Sequence, residues 1–177
     1  LTLKHSGGSL GPLEATIDTR GSALRALQVG THSIIPDYAG EDAPLNAGVL
    51  MFPWTGRIPD GAWVDGDTAL VLPITDTATQ SALHGLLATT QAQILEHAAD
   101  RVTLVLELLP SLGYPYHLSV TTVFSLDEGG MRVRNHVTNL GDATAPFALG
   151  HHPYFVLPQS SFDGVSLRAP VATTQLT

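Results

Sequence analysis

Three short segments of the chain contain side chains suited to bind and protonate a polar, uncharged molecule. The first, residues 52–63, places Arg57 between Trp54 and Trp63 in a loop rich in proline and glycine. Tryptophan faces stack on the apolar faces of sugar rings, and a guanidinium donates several hydrogen bonds in a fixed geometry. The same segment is also compatible with buried tryptophans and an arginine that pairs with a nearby carboxylate.

The other two segments contain histidines. His84 stands in apolar sequence beside Gly85, and a lone histidine of this kind is more often structural than catalytic. His151 and His152 precede Pro153, which favours an extended or turn conformation over a helix. Adjacent side chains of an extended segment point to opposite faces, so at most one of the two histidines readily enters a given pocket. Alone, this pair fits a strand-end turn as well as a functional site.

Two other chemistries are disfavoured. A zinc site would combine His151 or His152 with His84 and His136, but the sequence has neither a His-Glu-x-x-His helix nor any cysteine. A Ser-His-Asp hydrolase would need a Gly-x-Ser-x-Gly turn and alternating strands and helices, and both are missing from the sequence. We therefore predict no metal ligands.

Composition limits the class of protein. The chain has 177 residues, of which 44% are hydrophobic and 14% charged, so we expect one folded domain spanning residues 1–177. The net charge is −8, and the eight Lys and Arg residues form no run, which argues against nucleic acid as a partner. No apolar stretch approaches the roughly 20 residues needed to cross a bilayer, so no membrane association is expected. The cytoplasm is the default location, and the first residue, Leu1, is compatible with removal of a leader.

Alternation of apolar and polar residues predicts an all-β fold. The 17 glycines and 12 prolines are scattered, as in a chain of many short strands joined by turns. The period-two pattern is clearest in residues 117–126, and the following turn and strand predict an antiparallel hairpin. For residues 82–98 we favour a loop followed by a strand near 92–97 over a helix, because Gly85 would weaken a helix. The other predicted strands are residues 13–17, 23–29, 68–74, 101–108 and 131–139.

Four short motifs follow one another along the chain. They are Pro53-Trp54-Thr55-Gly56-Arg57-Ile58-Pro59-Asp60-Gly61, Leu83-His84-Gly85, Gly113-Tyr114-Pro115 and His152-Pro153-Tyr154-Phe155. In this order they resemble the aldose 1-epimerase (galactose mutarotase) family. The resemblance covers nearly the whole chain, and it implies a large antiparallel β-sandwich and no cofactor.

The resemblance also implies roles for individual residues. His152 matches the general acid of the family, Arg57 its substrate-binding arginine and His84 a second histidine that contacts the sugar. Within the same motifs we predict Trp54 and Tyr154 as substrate-binding residues. The implied reaction interconverts the α and β anomers of a free aldose by opening and closing the sugar ring, for which histidine side chains, titrating near neutral pH, are suited.

The sequence departs from the family pattern at several points. Gly56 and His151 stand where family members often have asparagine, which bears on substrate preference. In the family, the general-base glutamate and a substrate-binding aspartate lie in the C-terminal third, whereas this sequence stops at Thr177 and its last acidic residue is Asp163. We therefore expect a sandwich that is incomplete at its C-terminus, with His152 as one half of an acid–base pair.

Other functions remain open on the sequence. The chain could be a carbohydrate-binding sandwich without catalytic activity, an epimerase acting on hexose 6-phosphates, or a structural sandwich. A phosphorylated substrate would need a basic pocket, which a chain with so few cations makes the weaker alternative. The expected partner is a monosaccharide, and the chain is expected to be a monomer or a homodimer.

Overall fold

The structure is a computed structural model that describes residues 1–40, 43–157 and 165–166. Asp163 and the C-terminal end of the predicted domain lie outside these residues. The described part contains one short 3-10 helix, Pro44–Asn46, and is otherwise built from strands. The strands are β1 (Thr2–His5), β2 (Leu13–Asp18), β3 (Ala23–Val29), β4 (His32–Ile35), β5 (Leu50–Met51), β6 (Arg57–Pro59), β7 (Ala62–Asp65), β8 (Thr68–Val71), β9 (Ser81–Leu83), β10 (Gln93–His97), β11 (Arg101–Leu108), β12 (Leu118–Asp127), β13 (Gly130–Asn139) and β14 (Gly150–His151).

Two four-stranded antiparallel sheets form the body of the fold. Their strand orders are β1-β2-β3-β4 and β10-β11-β12-β13. Three two-stranded sheets accompany them, namely β5-β14, β6-β9 and β7-β8. Side chains from both sheets belong to one hydrophobic cluster, which includes Leu3 and Ile17 of the first sheet and Leu104 and Phe124 of the second. The predicted all-β class and antiparallel sandwich are confirmed.

Alternating burial explains why the long strands form. Along β12, every second side chain from Leu118 to Leu126 is buried, and the residues between them are half-exposed. The hairpin from β12 to β13 closes at the pair Asp127 and Gly130, as predicted. The strand expected near residues 92–97 is β10, and residue 84 lies in the preceding connection.

The prediction for residues 68–74 was too long. β8 ends at Val71, and the next backbone N–H, that of Leu72, donates to the carbonyl of Gly61 at 2.9 Å. Pro73 then has no N–H to donate to a ladder. The strand therefore stops before the proline.

None of the described residues forms a helix long and apolar enough to cross a membrane.

One close backbone contact ties the first two chemical motifs together. Gly85 forms an isolated bridge with Phe52, and the Leu86 N–H donates to the Phe52 carbonyl at 2.8 Å. Gly85 has φ of +88°, and a Cβ atom at this position would lie 2.0 Å from the Phe52 carbonyl oxygen. Glycine is therefore required here both by backbone conformation and by the available space.

A series of buried hydrogen bonds connects His151, the residue before the His152 motif, to the second sheet. Thr122 of β12 is fully buried, and its hydroxyl donates to Asn135 Oδ1 at 2.9 Å. The amide nitrogen of Asn135 then faces His151 Nε2 at 3.2 Å. Asn135 Oδ1 lies 3.4 Å from the same ring nitrogen, so the Asn135 amide can pair with either neutral tautomer of His151. Burial lowers the pKa of His151 to about 4, although the nearby Gly48 backbone opposes this effect.

We expect Gly85→Ala to destabilise the fold by about 3 kcal/mol or more, because the added methyl group clashes with backbone that cannot move away. Gly66→Ala is the matched control, since Gly66 also has positive φ, +57°, but has open space at the Cβ position. The control should cost only about 1 kcal/mol of backbone strain. Urea unfolding of both variants measures the difference, and equal losses would contradict the steric argument.

The stability of the fold should depend on His151 between about pH 6.5 and 4. The unfolded chain binds a proton at the ordinary histidine pKa, whereas the folded pKa is about 4. The unfolded state therefore takes up the proton first as the pH falls, and up to about 3 kcal/mol of stability is lost across this window.

The measurement is the free energy of unfolding of the wild type and of His151→Asn at several pH values. Asparagine does not titrate but can still bond to Asn135, so the variant should show a clearly flatter pH dependence. Identical slopes in the two proteins would rule out His151 as the titrating group.

Candidate functional site

His84 is held by hydrogen bonds to a single residue, Gly56. The His84 N–H donates to the Gly56 carbonyl at 3.0 Å, and the Gly56 N–H donates to His84 Nδ1 at 3.1 Å. Because Nδ1 accepts, the proton of the neutral ring is on Nε2, which makes Nε2 a hydrogen-bond donor. The backbone of His84 has φ of +57°, in the left-handed region that is costly for residues other than glycine.

His152 is positioned by the segment that contains β5. Its N–H donates to the Val49 carbonyl at 3.2 Å, and its carbonyl accepts from the Gly48 N–H at 2.8 Å. Just before it, β14 pairs with β5 through Gly150 opposite Met51. The His152 Nδ1 atom is buried and has no hydrogen-bond partner in the part of the chain that the structure describes. His151 Nδ1 is likewise buried without a partner among the described residues.

The two histidines lie against each other. Their ring centroids are 4.8 Å apart, with an angle of 61° between the ring planes. Tyr154 flanks the pair, its ring centroid 5.2 Å from that of His152, and its side chain is partly exposed. The structure therefore brings together three of the residues predicted from sequence, His84, His152 and Tyr154.

Arg57 joins this group through strand pairing. It lies opposite Leu83 in the β6-β9 ladder, one residue from His84. Its Nε donates to Asp76 Oδ2 at 2.9 Å, and about half of its side chain is exposed. The sequence offered two interpretations of Arg57, sugar binding or pairing with a carboxylate, and the structure shows the pairing.

Burial controls the charge of His84. It is the largest cause of a lowered His84 pKa, and the neighbouring His152 and Arg57 lower that pKa further. Two imidazolium rings at this separation would repel by about 3 kcal/mol at an effective dielectric constant of about 20. The arrangement therefore disfavours a positive charge on both rings at once, and it favours the neutral form of His84.

Trp54 lies in the core and not beside the histidines. Only 8% of it is exposed, and its indole N–H donates to the Ala82 carbonyl at 3.2 Å. One side of the ring borders an apolar cavity of about 220 Å³, whose other aromatic members are Trp63, Tyr114 and Phe147. The substrate-binding role given to Trp54 stays a prediction, and the geometry gives its ring a structural role.

Several residues around the site were not identified from sequence. Asp76 pairs with Arg57, while Asn135 and Thr122 hold His151 on the side of β14 that faces the second sheet. The Asp76-Thr77-Ala78-Thr79 sequence is a recognisable turn signal, but it does not reveal the partner across the β6-β9 ladder.

The zinc alternative finds no support in the described ranges, 1–40, 43–157 and 165–166. His136 is exposed on β13, and His151 is bonded to Asn135. No group of three or more His, Cys, Asp or Glu side chains there could hold a metal ion. The carboxylate of Glu107 pairs with the half-buried His117, with Oε1 2.6 Å from Nε2.

Structural comparison identifies several solved proteins with this fold. A crystal structure of a putative aldose 1-epimerase from Escherichia coli K12 aligns with a TM-score of 0.72 and 24% identity, covering 88% of this chain and 52% of that one. A galactose mutarotase/aldose epimerase homologue from Caenorhabditis elegans aligns with a TM-score of 0.75 and 17% identity, covering 89% and 51% of the two chains. At these identities the likeness establishes the fold.

Sequence comparison gives the family. An uncharacterized protein of Escherichia coli K12, YihR, is 37% identical over 178 residues, which cover 96% of this chain and 58% of YihR. The chain thus spans little more than half the length of the relatives it matches. The model of the family described as aldose 1-epimerase matches residues 3–173. On this match, which extends over almost the whole sequence and includes all four motifs, the chain belongs to the aldose 1-epimerase family.

Proposed function

We propose that the protein containing this chain interconverts the α and β anomers of a free aldose. The observation that carries the proposal is the contact between His84 and His152, two side chains brought together from separate motifs. Ring opening requires a proton to be delivered to the ring oxygen and another to be removed from the anomeric hydroxyl. His152 as an acid is suited to delivering the proton to the ring oxygen. His84 and Arg57 as hydrogen-bond donors are suited to holding the sugar hydroxyls.

His152 is proposed as the general acid that protonates the ring oxygen. Burial lowers the pKa of His84 and so favours its neutral form, which suits this ring to donating a hydrogen bond and not to acting as the acid.

His84 and Arg57 are proposed to hold the substrate. The Gly56 N–H fixes the ring of His84 so that its Nε2–H is available as a donor to a sugar oxygen. Arg57 uses Nε for Asp76, and its two terminal nitrogens supply further donors. Tyr154 closes one side of the histidine pair and offers a ring for contact with the sugar. Trp54 would act at most from behind the site, through the packing of Ala82.

The base that takes the anomeric proton is not assigned to a residue of this chain. Asp76, the carboxylate that pairs with Arg57, already accepts from Arg57 and Thr79. The resemblance to the family implies a glutamate from the C-terminal third for this role. The proposal for the acid does not depend on that assignment.

Polarimetry of freshly dissolved α-galactose or α-glucose tests the role of His152. We expect the protein to speed the change in optical rotation and His152→Asn to lower the catalysed rate by about 10²- to 10⁴-fold, the usual contribution of a general acid. His136→Asn is the matched control, because His136 is exposed on β13, and it should leave the rate unchanged. Equal rates for wild type and His152→Asn would remove His152 from the mechanism.

Binding can be measured independently of turnover. In ¹H–¹⁵N NMR spectra of the histidine rings, galactose or glucose should shift the signals of His84 and His152 in a saturable manner, and the exposed His136 should not respond. Galactitol, which has similar hydroxyls but no ring, serves as the ligand control and should bind more weakly. A response confined to His136, or no response to either sugar, would favour a structural role for the domain.

A further inference from the structure

We propose that Asp76 is a positioning residue that fixes the guanidinium of Arg57 beside His84. The inference rests on the proposed function for its consequence in substrate binding, but the geometry on which it depends can be tested without a sugar. It concerns a side chain that acts through Arg57 and touches neither histidine.

The carboxylate of Asp76 is held by four donors. Oδ1 accepts the N–H groups of Ala78 and Thr79 at 3.2 and 3.4 Å, and Oδ2 accepts the Thr79 hydroxyl at 2.7 Å and Arg57 Nε at 2.9 Å. Only 14% of the Asp76 side chain is exposed. The hydrogen bonds from Thr79 and Arg57 lower the pKa of Asp76 to about 2. The carboxylate therefore stays charged and in place throughout the neutral range.

The backbone places this carboxylate opposite Arg57. Asp76 and Ser81 exchange N–H to carbonyl hydrogen bonds of 2.9 and 3.0 Å, which close the turn of residues 76–81. The Thr75 hydroxyl accepts the Leu83 N–H at 2.8 Å, so the residue before Asp76 is fixed to β9 as well. Since β9 pairs with β6 at Leu83 and Arg57, the turn and the arginine belong to one rigid unit.

This arrangement determines which nitrogens of Arg57 remain for a ligand. A guanidinium bound through Nε cannot rotate freely about its long side chain, which otherwise has many conformations in solution. The partner of Nε thus reduces the entropy that Arg57 must lose when it binds hydroxyl groups. It also keeps the positive charge close enough to His84 to affect that ring.

The test compares Asp76→Asn with the wild type by NMR. Asparagine can still accept the turn N–H groups, so the fold should be retained, but the charge that holds Arg57 is lost. We expect faster solvent exchange of the Arg57 Nε–H signal. We also expect the pKa of His84 to rise towards the value in Arg57→Gln, because the cation moves away from the ring.

Two comparisons make the result specific. Asp37→Asn is the matched control, because Asp37 accepts from Arg25 Nε at 2.6 Å in a different ion pair, and it should leave the His84 signal unchanged. In an Arg57→Gln background, Asp76→Asn should cause no further change at His84. The other groups that act on the charge of His84, namely His152 and burial, are the same in all of these proteins.

An unchanged or lower His84 pKa in Asp76→Asn, or unchanged exchange of Arg57 Nε–H, would overturn the proposal. If the protein also turns over an aldose, Asp76→Asn should raise KM several-fold with a smaller effect on kcat. A several-fold loss in kcat with KM unchanged would count against a positioning role. If no aldose binds or reacts, the proposed function fails, and the NMR comparison still decides the role of Asp76.

Discussion

The backbone from residue 48 to residue 57 makes the hydrogen bonds on which the position of both histidines depends. At one end, Gly48 and Val49 bond to the backbone of His152. At the other end, Gly56 bonds to the backbone and ring of His84. In between, the Phe52 carbonyl accepts from Leu86 and contacts Gly85 too closely for any side chain there. A single continuous segment thus contacts two residues that are far apart in the sequence.

Electrostatics gives these two similar side chains different properties. His84 is bonded through Nδ1 and kept neutral by burial and by its cationic neighbours. His152 has its backbone fixed but keeps a buried ring nitrogen without a partner among the described residues. His151, the residue before His152, is turned towards Asn135, and burial is the main cause of its lowered pKa as well. Three histidines in one region therefore have three distinct chemical environments.

The fold class could be predicted from the sequence, and the order of the four motifs was enough to indicate the family. Period-two alternation predicts β12 and β13 because each has one face in the core, and this signal is local. The argument that His151 and His152 face opposite ways follows from strand geometry and agrees with their different neighbours. The features that could be predicted from the sequence are therefore mostly those that depend on a local pattern of residues.

Features that depend on register between distant strands could not be predicted. Asp76 meets Arg57 only because β6 and β9 pair with Leu83 opposite Arg57. The burial of Trp54, whose indole N–H donates to the Ala82 carbonyl, could not be predicted, because a tryptophan in a loop gives no sign in the sequence of which side it faces. The early end of β8 is different, because Pro73 marks it in the sequence.

The left-handed backbone of His84 sets the requirements of folding against those of the site. Glycine would adopt φ of +57° without strain, whereas histidine keeps it at a conformational cost of about 1–2 kcal/mol. Selection for stability alone would thus be expected to replace His84 with glycine, and the imidazole would be lost with it. Stability and the proposed substrate contact therefore make opposite demands on residue 84, and the imidazole is kept at the expense of some stability of the fold.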